Sequence, residues 1–195
     1  MSALIERFTR CLSDIDQPVV METGAKRSIA TRSTLHREWV PNAHVFLGTD
    51  IEEGIDVDFV ADLHCLTDVT GVEVYDGIIT CSTLEHVKYP FKASHELMKA
   101  LKVGGCIFVH THQTFPLHAY PYDYFRFSQE ALRALFGKQM GMGLIETAYE
   151  FPAQIHSKEN PGGENHPAWL NVLLFAVKIK ETPEEFIFEY DNAVQ

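Results

Sequence analysis

Apolar and polar positions along the chain fall in alternating blocks that predict helices and strands in turn. Leu4, Phe8 and Leu12 lie on one face of a helical wheel, so the chain is predicted to open with an amphipathic helix that ends near Pro18. Short apolar runs at 19–21, 45–47, 58–63 and 77–81 follow it, and each ends in a glycine or a polar residue. These runs predict four buried strands.

The rest of the chain continues this alternation. Helices are predicted over 28–39 and 90–102, the second with Pro90 in its first turn and a glycine pair beyond its end. A fifth strand follows over 106–110, and Ser128 is predicted to cap a helix that runs to residue 136. Two closing strands are predicted over 143–151 and 171–180, and the acid-rich tail from residue 181 is predicted to be a solvated surface segment.

Strands that alternate with helices through short turns predict an α/β fold, with a mostly parallel sheet covered on both faces. A length of 195 residues predicts a single domain that spans residues 1–195. Ligands of such sheets bind outside the carboxyl ends of the strands. Four polar residues follow predicted strands and are therefore expected along one cleft: Glu22, Asp50, Asp62 and Ser82.

Charge and composition narrow the classes of partner. The formal net charge of −11 argues against binding to nucleic acid or to an anionic membrane surface, so a small molecule is the expected partner. No apolar stretch is long enough to cross a bilayer, and charges interrupt the N-terminal apolar pattern, which excludes a signal peptide. Four widely spaced cysteines indicate free thiols and a cytoplasmic location. The periodicity leaves the oligomeric state open.

The turn after the fourth predicted strand carries the most specific motif, Ser82-Thr83-Leu84-Glu85-His86. Together with ELMKALKVGG at 96–105 and PYDYFRFS at 121–128, it resembles the class I S-adenosylmethionine-dependent methyltransferases, in particular the type 11-like group with an S-x-L-E-H turn. The resemblance extends from about residue 19 to residue 136. It implies a Rossmann-like three-layer sandwich whose seven-stranded sheet is mostly parallel and ends in an antiparallel strand pair.

The resemblance also implies a binding site for S-adenosylmethionine. Glu22 and Gly24 match the loop that holds the amino-acid part of the cofactor, and Asp50 matches the acid that accepts both ribose hydroxyls. Asp62 and Leu63 match the pair that contacts adenine. The remaining residues implied to contact the cofactor are Ile51, beside the ribose acid, and Cys81 and Ser82, below the sulfonium.

Histidines cluster after the fourth and fifth predicted strands. A hydroxyl acceptor needs a general base, and His112 or His86 is predicted to fill that role. His110 and His112 are two residues apart and share a face of a strand, as a metal pair would. No third ligand has a suitable spacing, so no metal site is predicted. Four residues are predicted to bind the acceptor: His110, His118, Tyr122 and Arg126.

Several simpler explanations compete at these positions. Ser82 and Glu85 have the spacing of a helix capping box, and Asp50 or Asp62 can merely end a strand or cap a turn. Asp123 and Arg126 are predicted to form an ion pair that fixes their loop.

The sequence therefore predicts a methyltransferase, expected to be an O-methyltransferase, that acts on a small-molecule acceptor such as a sugar or another hydroxyl-bearing metabolite. One alternative is a non-catalytic methyltransferase-like binding module, because the first loop has a single glycine where the family carries two or three. A second alternative is a nicotinamide-dependent Rossmann enzyme, although the chain lacks G-x-G-x-x-G.

Overall fold

The computed structural model describes residues 2–156 and 166–188. Within them, seven strands form one mixed sheet in the order β3-β2-β1-β4-β5-β7-β6. Strands β1 to β5 pair in parallel, whereas β7 is antiparallel to both β5 and β6. The strands are β1 (Val19–Thr23), β2 (Val45–Asp50), β3 (Phe59–Val60), β4 (Tyr75–Cys81), β5 (Leu101–His112), β6 (Met142–Ile155) and β7 (His166–Lys178). This topology confirms the predicted Rossmann-like sheet.

Four α-helices cover the sheet: α1 (Ala3–Ser13), α2 (Leu66–Thr70), α3 (Pro90–Ala100) and α4 (Gln129–Leu135). The Ser128 hydroxyl accepts the N–H of Ala131, which confirms the predicted cap of α4. Single 3₁₀ turns lie at Arg37–Trp39, Leu63–Cys65, Leu84–His86 and Lys138–Met140. Among the residues described, no helix combines the length and apolar character that crossing a membrane requires.

Successive strand residues point to opposite faces of the sheet and build two separate cores. On one face Ile78 and Ile107 pack with α2, α3 and α4 in a large apolar cluster. On the other face Ile79 and Phe108 pack against Phe8 of α1. Helices on both faces of the sheet give the predicted three-layer sandwich.

Two local predictions are wrong. Residues 28–36 form turns and irregular backbone instead of a helix, and only Arg37–Trp39 takes up a 3₁₀ turn. Strand β5 begins at Leu101, so the helix before it ends two residues earlier than predicted. Leu101 pairs with Tyr75, and a register shift before Gly77 accommodates the glycine pair inside the strand instead of beyond a helix end.

The tail also differs from the prediction of a solvated surface segment. Phe186 is half-buried against the large cluster, and its ring lies 5.3 Å from that of Phe91 on α3. The His95 Nε2–H donates to the Pro183 carbonyl at 2.7 Å. Within residues 181–188 the acids Glu181, Glu184 and Glu185 are exposed while Phe186 packs, and the rest of the predicted tail, 189–195, lies outside the described residues.

Candidate active site

One cavity of about 1020 Å³ opens at the carboxyl ends of the parallel strands. Every residue that the resemblance implied for the cofactor contributes to its lining: Glu22, Gly24, Asp50, Ile51, Asp62, Leu63, Cys81 and Ser82. The strand ends thus bring together positions that are up to sixty residues apart in the chain. A cavity of this size accommodates a nucleoside together with a second small molecule.

Glu22 lies near the end of β1 and is almost completely buried. Its carboxylate accepts the backbone N–H of His36 at 2.8 Å and contacts the His36 Nδ1 at 2.7 Å. The His36 ring packs in turn against that of Trp39, with ring centroids 4.0 Å apart and the planes tilted by 35°. The carboxylate therefore anchors the segment 28–39 as one wall of the cavity.

Asp50 ends β2 at the rim of the cavity. Its two carboxylate oxygens each accept one backbone N–H, from Lys26 at 3.0 Å and from Glu52 at 3.2 Å. Each oxygen keeps a free lone pair, so the carboxylate can accept two hydroxyl groups of one ligand. Ile51 beside it is 65% exposed, as expected for a residue at the cavity mouth.

Asp62 follows β3 and caps the 3₁₀ turn Leu63–Cys65. Its Oδ1 accepts the backbone N–H of His64 at 2.9 Å and contacts the His64 Nδ1 at 2.6 Å. Asp62 therefore has two roles, since it caps this turn and also lines the cavity. Leu63 is buried beside it and gives the cavity an apolar surface.

Gly24 brings the loop after β1 against the loop after β4. Its φ of +69° is unfavourable for any residue with a side chain, and a Cβ built on it would meet the Thr83 hydroxyl. That hydroxyl donates to the carbonyls of Thr23 and Cys81, which joins the two loops. The one glycine of this loop therefore lies where the loop after β4 comes too close to leave room for a side chain.

Two basic residues follow Gly24 and are neutralised by acids. Lys26 lines the cavity and pairs with Glu52. Arg27 forms two hydrogen bonds with Asp56, both at 2.9 Å. Both basic side chains are therefore paired with carboxylates of the loop after β2. The acids Glu22, Asp50 and Asp62 still line the cavity.

The floor of the cavity is formed by Cys81 and Ser82 at the end of β4. Burial and the nearby carboxylates of Glu22 and Glu85 raise the pKa of the Cys81 thiol well above its usual value. The thiol therefore stays neutral. Ser82 has a φ of +49° and donates its backbone N–H to the His110 carbonyl, so it lies at the junction with β5.

The capping-box interpretation of Ser82 and Glu85 is wrong. Thr83 and not Ser82 begins the 3₁₀ turn, and no side chain caps that turn. Glu85 is instead completely buried below it, where its Oε2 accepts the Thr111 hydroxyl at 2.7 Å. The sequence pattern of a capping box does not distinguish these two geometries, because both place the acid three residues after the serine.

Four histidines were predicted to lie near the cleft, and two of them, His86 and His110, line the cavity. The His86 Nδ1–H donates to the Tyr122 carbonyl at 2.8 Å, which leaves the Nε2 lone pair of the ring free. His110 lies at the end of β5, with its Nε2 3.9 Å from Glu150. Burial lowers the pKa of His110, and the neighbouring His112 adds to this effect, so the ring is neutral at pH 7.

His112 lies outside the cavity lining and is almost completely buried. Its Nδ1 contacts the Asn171 Oδ1 at 3.0 Å, and its Nε2 lies 3.1 Å from the Glu85 carboxylate. Phe115 stacks on its ring at 4.0 Å. Both nitrogens face other side chains and His112 does not line the cavity, which argues against its predicted role as a general base.

The loop after β5 is held together by Arg126. The guanidinium binds both oxygens of Asp123, at 2.6 and 2.9 Å, which confirms the predicted ion pair. It also donates to the carbonyls of Phe115 and Pro116. Hydrogen bonds from Arg126 and from the His118 backbone N–H lower the pKa of Asp123.

Three residues predicted to bind the acceptor therefore belong to this loop and not to the cavity lining. Arg126 is committed to Asp123 and to loop carbonyls, and Tyr122 is 61% exposed. His118 contacts the rings of His86 and His112. Of the four residues predicted for the acceptor, His110 is the one that lines the cavity.

Sequence reasoning missed one wall of the cavity. Ser33, His36 and Trp39 come from the segment predicted as a helix, and Glu150 and Phe151 come from β6. The run of Ser, Thr and Arg at 28–34 is a loop signal that favours irregular backbone. No local signal marks Glu150, because only sheet order brings β6 to this cavity.

No protein-family model matches the chain, and no curated protein matches it. The fold is similar to that of a S-adenosylmethionine-dependent methyltransferase from Archaeoglobus fulgidus, with 13% identity, a TM-score of 0.63, and coverage of 89% of this chain and 92% of that one. It is also similar to the YcgJ protein from Bacillus subtilis, with 15% identity, a TM-score of 0.62, and coverage of 90% and 98%.

A third similar structure is phosphoethanolamine N-methyltransferase 2 from Haemonchus contortus, in complex with phosphomonomethylethanolamine and S-adenosylhomocysteine. It is 14% identical, with a TM-score of 0.59, and the match covers 91% of this chain and 52% of that one. These similarities establish the class I methyltransferase fold. They do not show that the chain belongs to the narrower type 11-like group.

Proposed function

We propose that the chain is an S-adenosylmethionine-dependent methyltransferase that acts on a small molecule. The observation that carries the proposal is that Glu22, Asp50 and Asp62, from three neighbouring strands, line one cavity. Solved proteins of this fold include one described as S-adenosylmethionine-dependent and one in complex with S-adenosylhomocysteine.

The residues present fit this cofactor. Asp50 offers a carboxylate with two free lone pairs for the ribose hydroxyls, and Leu63 offers an apolar surface for the base. Gly24 lets the backbone approach the ligand, and its left-handed conformation supports a functional loop with a single glycine. The acids around the cavity favour a cationic ligand over an anionic one such as a dinucleotide pyrophosphate.

S-adenosylmethionine, when bound, supplies a methyl group on a cationic sulfur that leaves as a neutral thioether. The acceptor oxygen would form the new bond to the methyl carbon as the bond from sulfur to that carbon breaks, and it would give up its proton. His86 receives this proton at Nε2, because the Tyr122 carbonyl holds the proton of Nδ1 in place. Alignment of acceptor and methyl group in the cavity supplies up to about 7–11 kcal/mol of the barrier reduction.

The acceptor is a sugar or another hydroxyl-bearing metabolite that occupies the part of the cavity near His110 and Glu150. Both side chains are polar, and the neutral His110 ring can donate and accept one hydrogen bond each. Phe151 adds an exposed aromatic ring at the same wall. Such a mixture of one ring and several polar groups suits a carbohydrate face.

Calorimetry with the Asp50→Ala variant tests the cofactor assignment. The variant is expected to lose affinity for S-adenosylmethionine and S-adenosylhomocysteine by at least about tenfold, since two hydrogen bonds to a charged group are removed. Asp16→Ala, at an exposed site in the loop after α1, is the matched control and should bind as the unmodified chain does. Equal affinity in both variants would refute the ribose assignment.

Thermal-shift measurements separate the alternatives. Stabilisation by S-adenosylhomocysteine and not by NAD supports the proposal, whereas the reverse result supports a nicotinamide enzyme.

Methyl transfer from labelled cofactor to a panel of free and nucleotide-linked sugars then tests catalysis. His86→Ala should lower turnover about 10²–10⁴-fold with cofactor affinity unchanged, and binding without any transfer would indicate a non-catalytic module.

A further inference from the structure

Beside the cavity, Glu85 carries a carboxylate that is completely buried and only half satisfied. Its Oε2 accepts the Thr111 hydroxyl, but its Oε1 has no hydrogen-bond partner among the described residues. An orphaned carboxylate oxygen is expensive in an apolar interior, and buried charges are normally paired or coordinate a metal. The environment of this oxygen therefore points to a cation.

The Nε2 of His112 lies 3.1 Å from this oxygen. The Nδ1 of the same ring lies 3.0 Å from the Asn171 Oδ1. An amide oxygen only accepts, so with the Asn171 amide in this orientation Nδ1 is the donor. In the neutral ring Nε2 then carries a lone pair, which faces the lone pairs of Glu85. Two acceptors in this position repel each other unless a cation lies between or beside them.

His118 completes the group from the loop after β5. One of its ring nitrogens lies within 4.8 Å of the ligand atoms of both Glu85 and His112. Its Nδ1 is 3.1 Å from the Pro116 carbonyl, an acceptor only, so Nδ1 carries the proton and Nε2 is free. Imidazoles that bind metals are oriented in this way, by a hydrogen bond from the other nitrogen to a carbonyl.

We propose that Glu85, His112 and His118 bind a divalent first-row transition metal ion of the Zn²⁺ type. Two imidazoles and one carboxylate are a common ligand set for such ions, and three protein ligands leave a position for water. Two ligand atoms on a tetrahedral zinc ion lie about 3.3 Å apart for the usual bond lengths, close to the 3.1 Å between Glu85 and His112. The proposal does not depend on the proposed methyl transfer.

Supporting contacts already hold each ligand in place. Asn171, Pro116 and Thr111 orient the three side chains, and Phe115 stacks on the His112 ring and shields it from water. The carbonyl of Glu85 accepts the N–H groups of Tyr124 and Phe125 from the loop after β5. A metal ion here would fasten this loop to the turn that bears the cavity residue His86.

The test uses the full chain without a histidine tag, stripped with a chelator and titrated with Zn²⁺ alone. We expect about one bound ion per chain by elemental analysis, together with a rise in the melting temperature. Exposed His44 provides the matched control, His44→Ala, which should bind as the unmodified chain does. His118→Ala should lose affinity about 100-fold or more, and its partly exposed side chain makes a folding defect easy to check by circular dichroism.

Two further variants locate the ion. Glu85→Gln should also abolish tight binding, and Asn171→Ala should weaken it about 10–100-fold as an outer partner does. No Zn²⁺, Mn²⁺ or Co²⁺ uptake by the unmodified chain would overturn the proposal in favour of a simple imidazolium–carboxylate pair. Loss of binding in His118→Ala with full binding in Glu85→Gln would overturn it too, because it would place the ion between His86, His118 and Asp123.

Discussion

A single glycine shapes the part of the cavity in which the amino-acid portion of a cofactor would lie. At Gly24 two constraints coincide, a left-handed backbone and a Thr83 hydroxyl that fills the space of a Cβ. Gly104 in β5 shares the first constraint, with a φ of +88°, but a Cβ there would meet nothing within 4 Å. The two positions therefore separate the effect of backbone conformation from that of close packing.

Replacement of these glycines by alanine should give different losses of stability. Gly104→Ala is expected to lower the free energy of unfolding by about 1 kcal/mol, the usual effect of a side chain in this backbone region. Gly24→Ala should lose about 2–4 kcal/mol, because the backbone penalty and the contact with Thr83 add. Urea unfolding of both variants measures the difference, and equal losses would contradict the close-packing argument.

Individual site residues could be predicted where a local pattern fixes their place. Asp50 and Asp62 each follow an apolar run, and the ends of parallel strands meet at one edge. His36 and Trp39 carry no such pattern, since their place depends on how an irregular segment folds over Glu22. The role of His112 was equally hidden, because its contacts come from Glu85 and Asn171, 27 and 59 residues away in the chain.

Among the elements, α2 and α3 are joined by one buried acid. The Glu96 Oε2 on α3 accepts both the N–H and the hydroxyl of Thr67 at the start of α2. Burial alone would raise the pKa of Glu96, but the hydrogen bonds from Thr67 and the charge of Lys99 outweigh it and bring the pKa to about 2. The carboxylate form thus stabilises the contact between the two helices.

The pH dependence of this contribution follows from the direction of the shift. Unfolded, Glu96 takes up its proton near pH 4.5, whereas folded it does so near pH 2. Its contribution is therefore complete above about pH 5 and is lost as the pH falls toward 2. Glu96→Gln should lower the free energy of unfolding by about 1–2 kcal/mol at pH 7. This is less than the full pKa shift corresponds to, because solvent screens the charges of the lysines that pair with Glu96.

Urea unfolding of Glu96→Gln and the unmodified chain from pH 7 to pH 3 measures this effect. The difference should narrow below about pH 4.5, because a protonated acid resembles the amide. Glu130→Gln is the control, since Glu130 pairs with Arg133 on the surface and should matter by less than about 0.5 kcal/mol. A constant difference across this pH range would mean that the charge of Glu96 does not hold the helices together.

Element order was predictable and element limits were less so. Strongly periodic segments such as α1 and α4 were found within a few residues, because caps and apolar faces mark them. The segment 28–39 is irregular and not the predicted helix, and its apolar residues Leu35 and Trp39 line the cavity while Ile29 is exposed. The early start of β5 follows from pairing with Tyr75, a contact between segments that local pattern does not reveal.

For the molecule as a whole, the segment after β7 packs against α3. Pro183 accepts a hydrogen bond from His95, and the N–H of Ile187 lies 3.2 Å from the Met140 sulfur. Phe186 packs on Phe91 and on the large apolar cluster. Phe188, two residues later, is 66% exposed, although its ring centroid lies 5.6 Å from that of Phe91 and 4.9 Å from that of Phe186. Acidic composition predicted a solvated tail, but aromatic contacts with Phe91 and the hydrogen bond from His95 hold its described part against α3.

Two matched phenylalanine variants measure how much this fastening contributes to the fold. Phe186→Ala should lower the free energy of unfolding by about 1–2 kcal/mol, in proportion to the half-buried ring that is lost. Phe188→Ala removes the same number of atoms from a ring that is 66% exposed and lies 5.6 Å from the Phe91 ring between centroids. It should therefore lower the free energy of unfolding by less, about 0.5 kcal/mol. Because α3 leads directly into β5, loss of the contact should also raise hydrogen exchange at the α3 amides in Phe186→Ala. Equal stability of the two variants would mean that the tail rests on α3 without supporting it.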